Sequence, residues 1–382
     1  MTWIENLNTM LSVRLNLDDY DNIPYQFRDH SISSGRVTFR VAGEFEVDLT
    51  IADEDFEKQF WFIDFRFLFA PAPAELSDPL RSFLEAKVND ILATDGLAGC
   101  YRFLHGFVLT HKITEFTHQA VELTRGRWTE TLKIERLHRA MAIQYWLSRP
   151  APGLRSWIIL GVNSGNKADG QVDARTTSRL SLRWFRDSKE VKDCDIPFDV
   201  NEISTEDLLR CVIARHIEYI LSSIHRKLLS FPRFRNREAS LSLRTSQTDP
   251  TVSELVMRLS HDASLTVRIN PTTGLFSLTP LSRVVQSGER NLNMTPRDPV
   301  DEGFSILEKT RCYYASEELI RRGKSAGWVG HPPPVKPDEL KPLMTTRDPF
   351  HSVWLKRQGW GPEWFVLVTM SLGGDRWWLV EL

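Results

Sequence analysis

Three early segments place apolar residues at every second position: Val37, Phe39 and Val41; then Phe45, Val47, Leu49 and Ile51; then Ile63, Phe65, Phe67 and Phe69. A period of two predicts an antiparallel meander with one buried face and one wet face. If Ala42, Gly43 and Glu44 form a three-residue hairpin loop, Val41 faces Phe45 and Arg40 faces Glu46, so register and charge agree. The acidic run Asp53, Glu54, Asp55 reads as a solvated loop. After Pro71 and Pro73 the period lengthens. A helix opens at Asp78-Pro79, carries Leu80, Leu84, Val88 and Ile91, and is closed by Gly96 in a left-handed conformation. A second, very apolar helix is predicted from Leu97 to Ile113. A third is predicted from Trp128 to Leu147 on the stripe Ile134, Leu137, Met141 and Tyr145, stopped by Pro150.

Strands are predicted at Trp157 to Val162 and Leu180 to Phe185, joined by a flexible loop from Asn163 to Ser178. The clearest helix follows. Ser204 and Asp207 have capping spacing, and Leu209, Ile213, Ile217, Ile220, Ile224 and Leu228 form a long apolar stripe before Pro232. A second meander covers Ala239 to Thr279, with turns at His261-Asp262-Ala263 and at Asn270 to Gly274. Another helix is predicted from Asp301 to Arg322, and the proline-rich stretch His331 to Pro337 is a stiff connector. Val353 to Leu355, Trp364 to Ser371 and Arg376 to Leu382 read as strands. The last two make a hairpin around Gly373-Gly374, with Met370 facing Trp377 and Val368 facing Leu379. Its other face carries Phe365, Leu367, Trp378 and Val380, so both faces want burial, and exposed apolar surface is expected there. The sequence stops in mid-strand at Leu382, which reads as a piece of a longer polypeptide.

Short hairpin connections without regular alternation of single strands and helices predict an α+β class, with antiparallel meanders and hairpins packed against helices. A sheet-then-helix unit recurs without a residue-level repeat. Two modules are expected, residues 1–235 and residues 236–382, the second incomplete at its C-terminus.

Composition narrows the function classes. The 382 residues are 41% hydrophobic and 26% charged, the profile of a folding globular chain. A net charge of -2 gives no global attraction to nucleic acid or anionic membrane, so such a partner would need a local patch. No stretch reaches the ~20 apolar residues of a membrane span. Cys100, Cys194, Cys211 and Cys312 are too scattered for metal-ligand spacing and read as reduced, buried thiols. Gly161 to Lys167 lacks the spacing and the Lys-Ser/Thr of a phosphate loop. His105, His111, His118 and His138 include no HExxH pair, and only His111 and His118 could share a face. No nucleophile elbow or dinucleotide fingerprint is present, so no catalytic, cofactor or metal residue and no small-molecule substrate is assigned. What stands out is aromatic content, 12 Trp and 21 Phe. Trp anchors protein interfaces because its rigid surface is buried at modest entropic cost. Trp360, Trp364, Trp377 and Trp378 are therefore candidate interface residues, since adjacent Trp377 and Trp378 must point to opposite faces of one strand. Arg233, Arg235 and Arg237, within the basic segment Arg226 to Arg244, are candidates for a protein-docking surface. A nucleic-acid-binding module using that segment is the alternative.

Several long collinear stretches resemble the fungal form of Mediator complex subunit 14: Phe45 to Asp55, Phe62 to Phe69, Leu84 to Ile113, Arg125 to Trp146, Arg268 to Leu278 and Gly359 to Ser371. The resemblance covers most of the sequence. It implies a nuclear, non-enzymatic scaffold of repeated helix-and-sheet modules that connects head, middle and tail subunits of a transcriptional coactivator, with no catalytic residues to carry over. The family subunit is much longer, so contacts made by its other parts cannot be assigned to these residues.

Overall fold

A computed structural model describes residues 3–53, 55, 58–149, 155–164, 178–192, 194, 196–236, 239–260, 263–295, 298–336, 340 and 351–382. Helix α1 (Trp3–Val13) seats Leu7 and Leu11 against the first meander, β1 (His30–Ser33), β2 (Arg36–Val41), β3 (Phe45–Thr50) and β4 (Trp61–Phe67). Helices α2 (Asp78–Thr94) and α3 (Gly96–Arg125) follow, and then a five-stranded sheet. Its strands are β5 (Leu132–Leu137), β6 (Ala140–Tyr145), β7 (Ser156–Asn163), β8 (Arg179–Arg186) and β9 (Lys189–Val191). Helix α4 (Thr205–Leu229) and the single turn α5 (Pro232–Arg235) lead to a third sheet, β10 (Leu241–Arg244), β11 (Glu254–Arg258), β12 (Ser264–Ile269) and β13 (Phe276–Thr279). Helices α6 (Arg283–Met294) and α7 (Pro299–Ser325) precede the last sheet, β14 (Trp328–His331), β15 (His351–Arg357), β16 (Trp364–Ser371) and β17 (Gly374–Glu381). Every strand pairing is antiparallel and each sheet follows sequence order, so the class is α+β and the sheet-then-helix unit does recur.

The first hairpin has the expected register, Val41 opposite Phe45 and Arg40 opposite Glu46. The third strand departs from strict alternation. A bulge between Asp48 and Leu49 sets Leu49 against Phe62, so Phe62 turns inward and Ile63 stays exposed. The stripe on α4 is core, with all six apolar residues buried and Asp207 N donating to Ser204 Oγ at 3.2 Å to cap the helix. One buried cluster runs from Leu7 through α4 to Leu307, and a smaller one joins α7 to the last sheet.

Other expectations are corrected. The segment Trp128 to Leu147 is the β5–β6 hairpin, not a helix. Met141, Ile143 and Tyr145 are buried in alternation, and Arg139 takes a positive φ of 51° in the turn. Spacings of three and four among Ile134, Leu137, Met141 and Tyr145 imitate a helix, but only the period-two subset is buried. The predicted Leu97–Ile113 helix continues to Arg125. The C-terminal hairpin turns at Leu372-Gly373, which puts Met370 opposite Asp375 and Val368 opposite Trp377, two residues from the expected register with each side chain's face unchanged. Leu372 sets the turn by burying itself in the main core. Helices α1 and α6 and strands β1, β9 and β14 are additional to the elements expected from the sequence. Much of the Asn163–Ser178 loop, His261 and Asp262, Arg237, Glu54 and Pro337 lie outside the described residues.

Candidate protein-docking site on the C-terminal sheet

Strands β15 and β16 are central and covered on both sides, which explains the continuous apolar run through Phe365, Val366, Leu367 and Val368. On one side Trp354, Phe365 and Leu367 cluster with Leu340, and Val335 and Val380 pack against them. On the other, Val353, Leu355, Val368 and Met370 meet Cys312, Ala315, Leu319 and Ile320 of α7. Among the described residues, strand β17 has β16 as its single neighbour. Trp377 is 61% exposed, Leu379 62% and Trp378 38%. The two adjacent indoles do point to opposite faces, Trp377 beside Val368 and Trp378 beside Leu367. Trp378 Nε1 donates to Thr369 Oγ1 at 3.4 Å, while Trp377 stands bare.

The remaining candidates are dispersed. Trp364 is half-buried and pairs in register with Glu381; Trp360 is half-buried and meets Trp328 edge-on at 5.0 Å. Arg233 lies mostly buried and is ion-paired with Asp375 at the start of β17, so it ties α5 to this sheet. Arg235 is exposed. Within the basic segment, Lys227 Nζ is held by Asp301 at 2.5 Å. The structure thus sets Trp377 and Trp378 on opposite faces of β17, with Arg233 ion-paired to Asp375 at the start of that strand, and leaves Trp360 and Trp364 at the far end of the sheet. Leu379 belongs to the exposed patch and was not singled out from the sequence, although its two-residue offset from Trp377 is the signal.

Buried polar groups elsewhere are engaged in holding layers together. Lys112 on α3 donates to Gly43 O at 2.8 Å and Val200 O at 2.6 Å; burial lowers its pKa despite Glu44 and Asp199 nearby. His105 Nδ1 is 2.6 Å from Glu44 Oε2 and Nε2 is 2.7 Å from Ser178 O. A carboxylate and a carbonyl on the two ring nitrogens favour the doubly protonated ring. Burial opposes that charge, and the Glu44 carboxylate and Ser178 carbonyl outweigh it to raise the pKa above 6.5. Between the second sheet and α4, Trp184 Nε1 donates to Tyr145 OH at 2.9 Å, which leaves the Tyr145 proton for His216 Nδ1, also at 2.9 Å. Burial, reinforced by Arg149 and Arg186, holds the His216 pKa well below 6.5.

His111 and His118 flank Glu115 at 3.7 and 4.0 Å, and no group of three side chains that could hold a metal ion is found among the described residues. Of the four cysteines expected to be buried, Cys100 and Cys312 are, while Cys194 and Cys211 are half-buried; burial pushes the Cys100 and Cys312 thiols up to about 12, away from thiolate reactivity. An open cleft of 630 Å³ along β8 and β9 holds Arg183 and Glu190, already paired at 2.7 Å.

Sequence comparison meets this architecture at both ends of the main core. The family described as Mediator complex subunit MED14 matches residues 1–53, and the one described as Fungal Med14 domain matches residues 224–319. A protein of Neurospora crassa named Mediator of RNA polymerase II transcription subunit 14 is 52% identical over all of this chain. The chain belongs to the Mediator subunit 14 family. Proteins of the same name from Pyricularia oryzae and Neosartorya fischeri are 51% and 37% identical over 100% and 99% of the chain. The chain spans 31% of the Neurospora subunit, 35% of the Pyricularia one and 34% of the Neosartorya one, about a third of each family member's length.

Proposed function

We propose that this chain is a non-enzymatic scaffold portion of the Mediator coactivator, acting in the nucleus in RNA polymerase II transcription by binding other Mediator subunits of the head, middle and tail modules. The observation that carries the reading is the bare strand β17, where Trp377 and Leu379 are exposed beside the covered apolar residues of β15 and β16. Large rigid side chains gain most from desolvation at a protein interface. The division into two modules, residues 1–235 and 236–382, belongs to the same proposal. Nucleic-acid binding by Arg226 to Arg244 is not favoured, since Lys227 and Arg233 are taken up by Asp301 and Asp375. The test is affinity purification of the tagged chain from fungal nuclear extract, with mass-spectrometric identification of what co-purifies. Recovery of Mediator subunits supports the reading; recovery of none, or of nucleic acid alone, overturns it.

A further inference from the structure

Two of the four sheets have their last strand closed by the helix that follows it. On β13 the groups pointing away from β12 belong to Phe276 and Leu278. Asn293 Oδ1 accepts from Phe276 N at 2.8 Å, Asn293 Nδ2 donates to Phe276 O at 2.9 Å, and Glu289 Oε2 accepts from Leu278 N at 2.7 Å. The fit is metric: two residues of strand advance about 6.8 Å and four residues of helix about 6 Å, so side chains at i and i+4 reach alternate strand residues. On β4, Asn89 Oδ1 of α2 accepts from Phe62 N at 2.9 Å. The flanking side chains Phe276, Leu278 and Phe62 are buried under those helices.

Strand β17 repeats this arrangement with no helix upon it among the described residues. Leu382 N donates to Glu363 O at 2.9 Å, which fixes the phase of the ladder. Gly374, Arg376, Trp378 and Val380 therefore turn their backbone groups to β16, and Asp375, Trp377, Leu379 and Glu381 turn theirs to the open edge. Trp377 and Leu379 sit beside Val368 and Val366 on the α7 side, as Phe276 and Leu278 sit beside Ile269 and Val267. The pattern is the same, an aromatic residue and a leucine two apart with outward amides; the aromatic is 2% exposed on β13 and 61% exposed on β17. The bare patch is also continuous with the buried interface of α7 and β16 through Val368 and Met370.

We propose that the β17 edge docks an amphipathic helix of a partner protein. That helix carries two acceptor side chains (Glu, Asn or Gln) four residues apart, which take the amides of Trp377 and Leu379, and an aliphatic stripe that covers their side chains. An added strand would pair the amides but lie in the plane of the sheet and leave the indole bare. A second copy paired antiparallel about Trp378 would set Asp375 against Glu381, opposing like charges. The inference rests on the protein-docking reading of this sheet and names the partner's chemistry.

The probe is a stapled helical peptide of the sequence Leu281–Thr295, the helix that fits β13, added to the full chain. The expected result is saturable binding with hydrogen-exchange protection of the Trp377 and Leu379 amides. Binding should weaken about tenfold when the peptide carries Ala at the positions of Glu289 and Asn293, and about tenfold when the chain carries Leu379→Ser, whose melting curve checks that it folds. No protection at millimolar peptide, equal binding by the Ala peptide, equal protection by an unstapled extended peptide, or dimerisation through this edge each overturns the proposal. Nuclear purification separates the two readings: if Leu379→Ser recovers the same Mediator subunits as the unaltered chain, the edge proposal fails while the scaffold reading stands.

Discussion

Gly274 closes the Asn270–Gly274 turn with φ of +73°, and a Cβ built there would lie 2.5 Å from Trp146 Cδ2 and 2.6 Å from its Cγ. Neither atom belongs to a flexible end. The Trp146 ring is stacked on His216 at 4.5 Å on its other side, and its Nε1 donates to Pro271 O at 2.8 Å, so it is fixed from three directions. Gly274→Ala must then place an L side chain in the left-handed region, costing about 1–2 kcal/mol. It must also displace a packed indole, costing about 1–3 kcal/mol. The total, ~2–5 kcal/mol, is a large share of a typical ~5–15 kcal/mol stability. Urea unfolding followed by tryptophan fluorescence reads it as a lower midpoint at unchanged slope. Gly373→Ala is the control, because Gly373 lacks a positive φ and the new methyl would meet only Ser371 Oγ at 3.7 Å. If both variants unfold at the same denaturant concentration, the Trp146 joint does not hold the third sheet to the second.

Ile217 is fully buried in the middle of α4, so Ile217→Asp should cost several kcal/mol and unfold the core; an unchanged melting temperature with lost partner binding would instead make that stripe a docking surface. His216 is buried neutral, and its folded pKa lies below the unfolded 6.5. Its contribution is therefore present above pH ~6.5 and lost as pH falls. His216→Gln should flatten the decline of stability between about pH 6.5 and 5, and an identical pH profile in both proteins argues against this. Asn293→Ala leaves a buried amide and carbonyl of Phe276 unpaired, which costs about 1–3 kcal/mol and opens the β13 edge. Faster exchange at Phe276 and new light-scattering mass are expected, and unaltered exchange refutes the edge-closing role.

The first hairpin, the α4 stripe and the exposure of the C-terminal hairpin were legible because each is decided locally: by a turn of fixed length, by a helical period with its cap, and by apolar residues on both faces of a strand. The inward turn of Phe62 was not, because a bulge between Asp48 and Leu49 is set by pairing across strands and leaves no mark in the alternation of either. The β5–β6 hairpin was hidden for a different reason. Ile134, Leu137, Met141 and Tyr145 satisfy a helical spacing while Met141, Ile143 and Tyr145 satisfy a strand spacing, and the Tyr145 contact with His216, 71 residues away, favours the strand. Arg233 looked like surface because its neighbours are basic. Its partner Asp375 lies 142 residues further on, beyond the reach of any local pattern.

The same distinction explains why the sheet-then-helix unit recurs without a readable repeat. What recurs is a bond, an asparagine on a helix accepting from an outward amide on the preceding outer strand. The intervening sequence is free to vary: Phe62 and Asn89 are 27 residues apart, whereas Phe276 and Asn293 are 17 apart. A search for fixed spacing would therefore miss it, while a search for strand ends whose outward amides meet a helix carboxamide finds it twice. An outer strand left open exposes both hydrogen-bonding groups and apolar side chains, which invites unwanted pairing. Closing β4 and β13 from within the chain removes that hazard at two sheets. At β17 an aromatic residue and a leucine two apart remain exposed beside amides that have no partner among the described residues, so the feature that identifies a closed edge elsewhere in the fold becomes, there, a description of the surface a partner must present.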